Sequence, residues 1–254
     1  MPLSSFVGGR IFGVRRGSEK PWILAMHGWQ RSHRDFDGIL EGSDSIAIDL
    51  PGFGASPTPP EAWTTAQYAE AVAPILDEMA DRVVVIGHSF GGRVAVHLAA
   101  AHPDRVAAQV LTGVPLTRPP GPRPKPPRGM AVGRRLHKAR IISDQRMEQL
   151  RQKHGSADYR NAEGVLRPIL VKAVNEDYLQ PLGSFPNPVE LVWGQLDTAA
   201  PVVAAEKAAA VCAKGHLEVL PDVDHFTPLR APEALREALA RCRPGSQATE
   251  SQRA

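Results

Sequence analysis

The chain has 254 residues, 43% of them hydrophobic and 22% charged, which suits one large globular domain or a core domain carrying an insertion. Its longest uninterrupted apolar run is Ala208–Ala213, far short of the roughly 20 residues a bilayer-spanning helix needs, so such a helix is excluded. The net charge of +3 hides an asymmetry: residues 118–140 carry eight Lys or Arg and no acid, which leaves the remainder net acidic.

In chain order, Phe6–Val14 reads as a short hairpin turning at Gly8-Gly9. Trp22–Met26 and Ser45–Leu50 are apolar strands, the second broken by Pro51-Gly52. Ala66–Ala80 has a helical composition. Arg82–Ile86, with three successive valines, is a buried strand, followed by an alanine-rich helix over Phe90–Ala101 and a strand over Val106–Leu111. Val189–Trp193 is a strand, Val202–Ala213 a helix, Leu217–Leu220 a strand and Pro232–Cys242 a closing helix with proline at its start. Strands separated by helices imply an α/β fold, with a mostly parallel sheet flanked by helices. The rhythm breaks between Leu116 and Pro188, a stretch that opens on a proline-rich run and then turns helical, notably over Ala162–Tyr178. These features divide the chain into a core (1–115 and 189–243), a largely helical insertion (116–188) and a disordered tail (244–254). Met1–Phe6 has neither a basic start nor an apolar core, so no secretory leader is expected. Cys212 and Cys242 alone make no disulfide framework, and a reducing cytoplasm is the expected setting.

The triple-valine strand runs into Gly87-His88-Ser89-Phe90-Gly91-Gly92, a G-x-S-x-G pattern between strand and helix. A serine hydroxyl that must project from so tight a turn needs room beside it, which Gly87 and Gly91 supply, with His88 completing the elbow. The following helix aims its N-terminal N–H groups at developing negative charge, so Ser89 reads as a nucleophile and the Phe90 N–H as an oxyanion donor. The bland alternative is a glycine-rich turn with a solvent-facing serine. Earlier, Met26-His27-Gly28-Trp29 ends a strand in a loop able to face the elbow, which makes the Trp29 N–H a second donor. His27 reads as a hydrogen-bonded tie for that loop, with a general-base role as the competing reading.

These segments, together with Asp49-Leu50-Pro51-Gly52-Phe53-Gly54-Ala55-Ser56, Trp193-Gly194-Gln195-Leu196-Asp197 and Asp224-His225-Phe226, resemble the α/β-hydrolase superfamily over nearly the whole chain. The resemblance implies a helical cap over 116–188 and a chain order of serine, acid, histidine. His225, in a loop after the final strand, is the expected base. Asp197, beyond the Val189–Trp193 strand, is the expected acid, since the preceding core strand ends in Thr112-Gly113-Val114 without one. Asp222 and Asp224 read as turn residues, Asp49 as a loop stabiliser, and His33, His137 and His154 as solvated.

The implied activity is hydrolysis of a carboxylic ester or thioester of a small molecule through an acyl-serine, with no metal or cofactor. The Trp of His27-Gly28-Trp29 is similar to that of bacterial carboxylesterases, including those acting on carrier-protein esters, and Ser89 argues against the Asp-nucleophile branches. C–C bond hydrolysis and cofactor-free haloperoxidase chemistry use the same three residues and stay open, as does, more remotely, a non-catalytic binder. The basic segment reads first as a solvated loop and second as a funnel for an anionic acyl substrate. The third reading is contact with nucleic acid or an anionic membrane; the lack of interleaved aromatics weakens single-strand binding, and neither nucleic acid nor membrane is an expected partner.

Overall fold

The computed structural model describes residues 2–117, 128–154 and 157–244. Residues 118–127, most of the proline-rich run, and 245–254 of the expected tail lie outside the described residues.

Eight strands form one sheet: β1 (Ser4–Phe6), β2 (Ile11–Arg16), β3 (Ile23–Met26), β4 (Ser45–Asp49), β5 (Val83–His88), β6 (Val106–Thr112), β7 (Val189–Gly194) and β8 (Gly215–Leu220), in spatial order β1-β2-β4-β3-β5-β6-β7-β8. β2 runs antiparallel to both neighbours, and β3 to β8 are mutually parallel. Strand alternation sends side chains to two apolar layers. Leu24, Met26, Ile46, Ile48, Val83, Val85, Leu191 and Trp193 join one layer, and Ile23, Ala25, Ala47, Val84, Ile86 and Val192 the other. The first layer is closed by helices 65–72, 90–101 and 202–211, the second by 37–40 and 232–241. Both faces are therefore covered, as the near-continuous apolar runs of β3 and β5 require.

Two helices are shorter than their composition suggests. The α-helix expected over Ala66–Ala80 holds only for Thr65–Val72, where Thr64 and Gln67 exchange hydrogen bonds in a capping box. Beyond it the chain tightens into a 3₁₀ turn, Ala73–Glu78, because Pro74 has no N–H to donate and its ring would strike the carbonyl one turn back. The stretch expected over Ala162–Tyr178 is helical only for Leu166–Ala173, preceded by Gly164 in the left-handed region (φ 50°).

Among the described residues, everything between β6 and β7 is helix or connecting loop: Arg128–Lys138, Asp144–His154, Ala157–Asn161, Leu166–Ala173 and Leu179–Gly183. Leu116, Tyr178, Leu182 and Phe185, at the two ends of this stretch, are fully buried in the first apolar layer. Among the described residues, no helix is long and apolar enough to cross a membrane. Because β3, β5, β6, β7 and β8 are parallel, the loops leaving their C-terminal ends gather at one edge of the sheet.

Candidate active site

Ser89 sits between the last residue of β5 and the helix Phe90–Ala101, at φ 49° and ψ −112°. Such a backbone costs a non-glycine residue about 1–3 kcal/mol and persists only where its surroundings enforce it. Here the Ser89 N–H bonds the Thr112 carbonyl at 3.0 Å, and the Ser89 carbonyl accepts from Gly92 at 3.1 Å. The elbow glycines are sterically required. A Cβ on Gly87 would lie 2.5 Å from the Gly92 Cα, and one on Gly91 would lie 2.2 Å from the Met26 carbonyl oxygen. Gly91 thus lets the new helix abut the end of β3, where the His27-Gly28-Trp29 loop begins.

The structure brings Ser89, His225 and Asp197 together from three strand ends. His225 Nε2 lies 3.1 Å from Ser89 Oγ, and His225 Nδ1 lies 2.8 Å from Asp197 Oδ2. A carboxylate only accepts, so the imidazole proton belongs on Nδ1, leaving Nε2 to accept from the serine hydroxyl. The Asp197 side chain is fully buried, and its other oxygen accepts from the backbone N–H groups of Ala199 and Ala200 at 2.9 and 2.7 Å. Those bonds aim the carboxylate at the ring.

The backbone N–H groups of Trp29 and Phe90 have no hydrogen-bond acceptor among the described residues, and both residues line the cavity that exposes Ser89. The Trp29 ring packs edge-on against Phe53 and Phe90, with centroids 4.9 and 5.1 Å away, which fixes one loop on the other. His27 is wholly buried. Its Nδ1–H donates to the Gly28 carbonyl at 2.7 Å and its Nε2 accepts from the Leu50 N–H at 3.0 Å. Burial lowers its pKa to about 4. Both ring nitrogens are committed, so His27 ties the β3 and β4 loops together and has no lone pair for general-base work. Asp49 holds the β4 loop, accepting from Ala55 N–H at 2.9 Å and from the backbone and Nδ1 of His33 at 2.8 Å each. The expectation that His33 is solvated is therefore corrected: its side chain is only 12% exposed, because the buried Asp49 carboxylate needs donors.

Besides the elbow residue His88, whose partner the sequence does not reveal, three residues near the site, Arg31, Arg93 and Glu176, carry no role in the sequence reading. His88 turns away from the Ser89 hydroxyl and donates from Nε2 to the His225 carbonyl at 2.9 Å, anchoring the histidine loop. Burial pushes its pKa down to about 4, helped by the nearby His225. Arg31 grips Asp35 through two bonds of 2.8 and 2.7 Å and lays its guanidinium 5.5 Å from the centre of the Phe226 ring, beside His225. Arg93, one helical turn after Ser89, is buried and lines the cavity. Its Nε and Nη2 donate to the Pro115 carbonyl, and its guanidinium lies 5.3 Å from the Tyr178 ring centre. Burial lowers its pKa, opposed by Tyr178 and Glu176. Glu176, also in the wall, accepts through Oε2 from Thr65 Oγ1 and, at 3.0 Å, from the Tyr178 hydroxyl. Arg93 was reachable by helical periodicity, since residue i+4 shares a face with residue i. Glu176 carried no such signal, because it arrives from the segment between β6 and β7.

The cavity has a volume of about 320 Å³ and is mostly apolar, with Leu170, Val174, Ala200 and Val203 among its lining. The apolar residues of helix 166–173 and its C-cap divide between two environments: Ile169 and Ala173 enter the core, while Leu170 and Val174 line the cavity. His216 pairs with Glu190 at the opposite end of the sheet, and Asp224 accepts from the Phe226 N–H as a turn residue. Among the described residues, no three His, Cys, Asp or Glu side chains are grouped as metal ligands.

Residues 23–238 match the model of the alpha/beta hydrolase family, and the chain belongs to that family. It is 45% identical over 93 residues to lipase LipV of Mycobacterium tuberculosis, a match covering 35% of each chain. It is 36% identical over 94 residues to a pimeloyl-[acyl-carrier protein] methyl ester esterase of Neisseria meningitidis, again covering 35% of each. These matches thus span about a third of the relatives' length. Among solved structures, Est816, described as an N-acyl homoserine lactone degrading enzyme, superposes with a TM-score of 0.70 at 21% identity, covering 94% of this chain and 99% of that one, a likeness of fold.

Proposed function

We propose that the protein is a serine hydrolase of small-molecule carboxylic esters or thioesters, working through an acyl-Ser89 intermediate. One observation carries the reading: the unbroken hydrogen-bond chain from Ser89 Oγ through His225 to the buried Asp197. In this reading His225 Nε2 takes the hydroxyl proton as Ser89 Oγ attacks the acyl carbon, and then delivers it to the leaving alcohol or thiol. A water then gives a proton to His225 as its oxygen bonds the acyl carbon, the acyl–Oγ bond breaks, and His225 returns the proton to Ser89 Oγ as the acid leaves. Asp197 holds the ring in the tautomer that leaves Nε2 free and stabilises the imidazolium. The uncommitted N–H groups of Trp29 and Phe90 receive the oxyanion of each tetrahedral intermediate.

The helices between β6 and β7 act as a cap on the core formed by 1–115 and 189–243. Leu170, Val174 and Glu176 in the cavity wall support that role, since a lid residue must touch what it covers. The names of the esterase and lipase relatives support ester substrates. Two unpaired cysteines, with pKa values pushed up to about 11 and 12 by burial, suit a cytoplasmic setting. The test is turnover of p-nitrophenyl butanoate by wild type and Ser89→Ala. The substitution is expected to remove at least about 10⁴-fold of kcat, and unchanged turnover would refute the assignment.

A further inference from the structure

The cavity wall holds one cation, Arg93, and two carboxylates, Asp158 and Glu176, and among the described residues Arg93 forms an ion pair with neither. Arg93 is buried beside Ser89, where its backbone N–H bonds the Ser89 carbonyl at 3.3 Å. A buried cation is costly unless an acceptor partners it. Arg93 has one neutral partner, the Pro115 carbonyl, which takes Nε and Nη2 at 3.3 and 3.2 Å. Nη1 has no partner, and Arg93 makes no ion pair, among the described residues. Glu176 commits Oε2 to Thr65 and Tyr178, while Oε1 has no partner among the described residues. Tyr178 stands between the two, its ring under the guanidinium and its hydroxyl on the carboxylate, so both are held in place on the wall they share. A residue with a spare donor and a residue with a spare acceptor therefore line one mostly apolar chamber.

We propose that Arg93 and Glu176 form a specificity dyad for an acyl group bearing a hydroxyl, which accepts from Arg93 Nη1 and donates to Glu176 Oε1; this rests on the serine-hydrolase reading of the same cavity. A single hydroxyl bridges a donor and an acceptor up to about 5.6 Å apart, a wider gap than an ion pair spans. Other acyl ends fit less well. A carboxylate would satisfy Arg93 but meet the Glu176 charge, an ammonium would meet Arg93, and a methyl would leave Nη1 of the buried Arg93 and Oε1 of the half-buried Glu176 without a partner.

The experiment compares kcat/KM for isosteric p-nitrophenyl ester pairs: 3-hydroxybutanoate against 3-methylbutanoate, and 6-hydroxyhexanoate against heptanoate. Hydrogen adipate serves as the anionic control. With wild type, at least one hydroxy ester is expected to exceed its methyl counterpart by about tenfold or more. That ratio should fall to near one in Arg93→Met, or in Glu176→Leu should Arg93→Met fail to fold. A smaller wild-type ratio in both pairs, a ratio kept in the variant, or hydrogen adipate outrunning 6-hydroxyhexanoate would overturn the proposal. Failure of the hydrolase reading itself looks different: wild type would then turn over none of the esters, p-nitrophenyl acetate included.

Discussion

At the scale of single residues, the site depends on side chains whose every other option is closed. Asp197 spends one oxygen on two backbone N–H groups and the other on His225. Asp197→Asn keeps the size but places an amide where a carboxylate must accept, favouring the tautomer with the proton on Nε2. We expect kcat on p-nitrophenyl butanoate to fall by about 10⁴ with KM little changed, read from steady-state kinetics. Gly91→Ala acts by volume alone. Its Cβ would overlap the Met26 carbonyl and push the Trp29 loop away from Phe90, separating the two proposed oxyanion donors. A loss of about 10² in kcat/KM, with far-UV circular dichroism retained, is the expected result.

At the scale of elements, the sequence was most legible where a pattern is local. Three valines before Gly87 marked β5, and the G-x-S-x-G spacing marked the elbow, because a strand, a strained turn and a helix dipole are all properties of adjacent residues. The α-helix after Thr64 is shorter than its alanine-rich composition indicates, since Pro74 is a local veto that composition alone does not weigh. The burial of His33 has no local signature, because its partner Asp49 sits at the end of β4 while His33 lies in the loop after β3. Glu176 and the Arg31–Phe226 contact were hidden for the same reason: each depends on how distant loops converge. The capping box offers a check on the elements themselves. Thr64→Ala removes the acceptor for the Gln67 N–H and should cost about 1 kcal/mol of stability, measured by urea unfolding.

At the scale of the whole molecule, two buried neutral histidines couple folding to pH. His27 and His88 have pKa values lowered to about 4 from 6.5. Between those values the unfolded chain binds protons that the folded one does not, so acidification favours unfolding across that window, and stability is regained as pH rises towards 6.5. His88→Gln keeps a donor for the His225 carbonyl but removes one titrating group. Its urea-unfolding free energy should fall less steeply than that of wild type between pH 6.5 and 4, and an equal slope would show that His88 is not held neutral.

The sheet gathers Ser89, Asp197 and His225 at one edge, and the proposed activity requires the first of them to carry the acyl group. The most direct measurement is reaction with a fluorophosphonate followed by peptide mapping. We predict one adduct per chain, on the peptide containing Ser89, and none on Ser89→Ala. An adduct on another residue, or none on folded wild type, would contradict the acyl-serine mechanism.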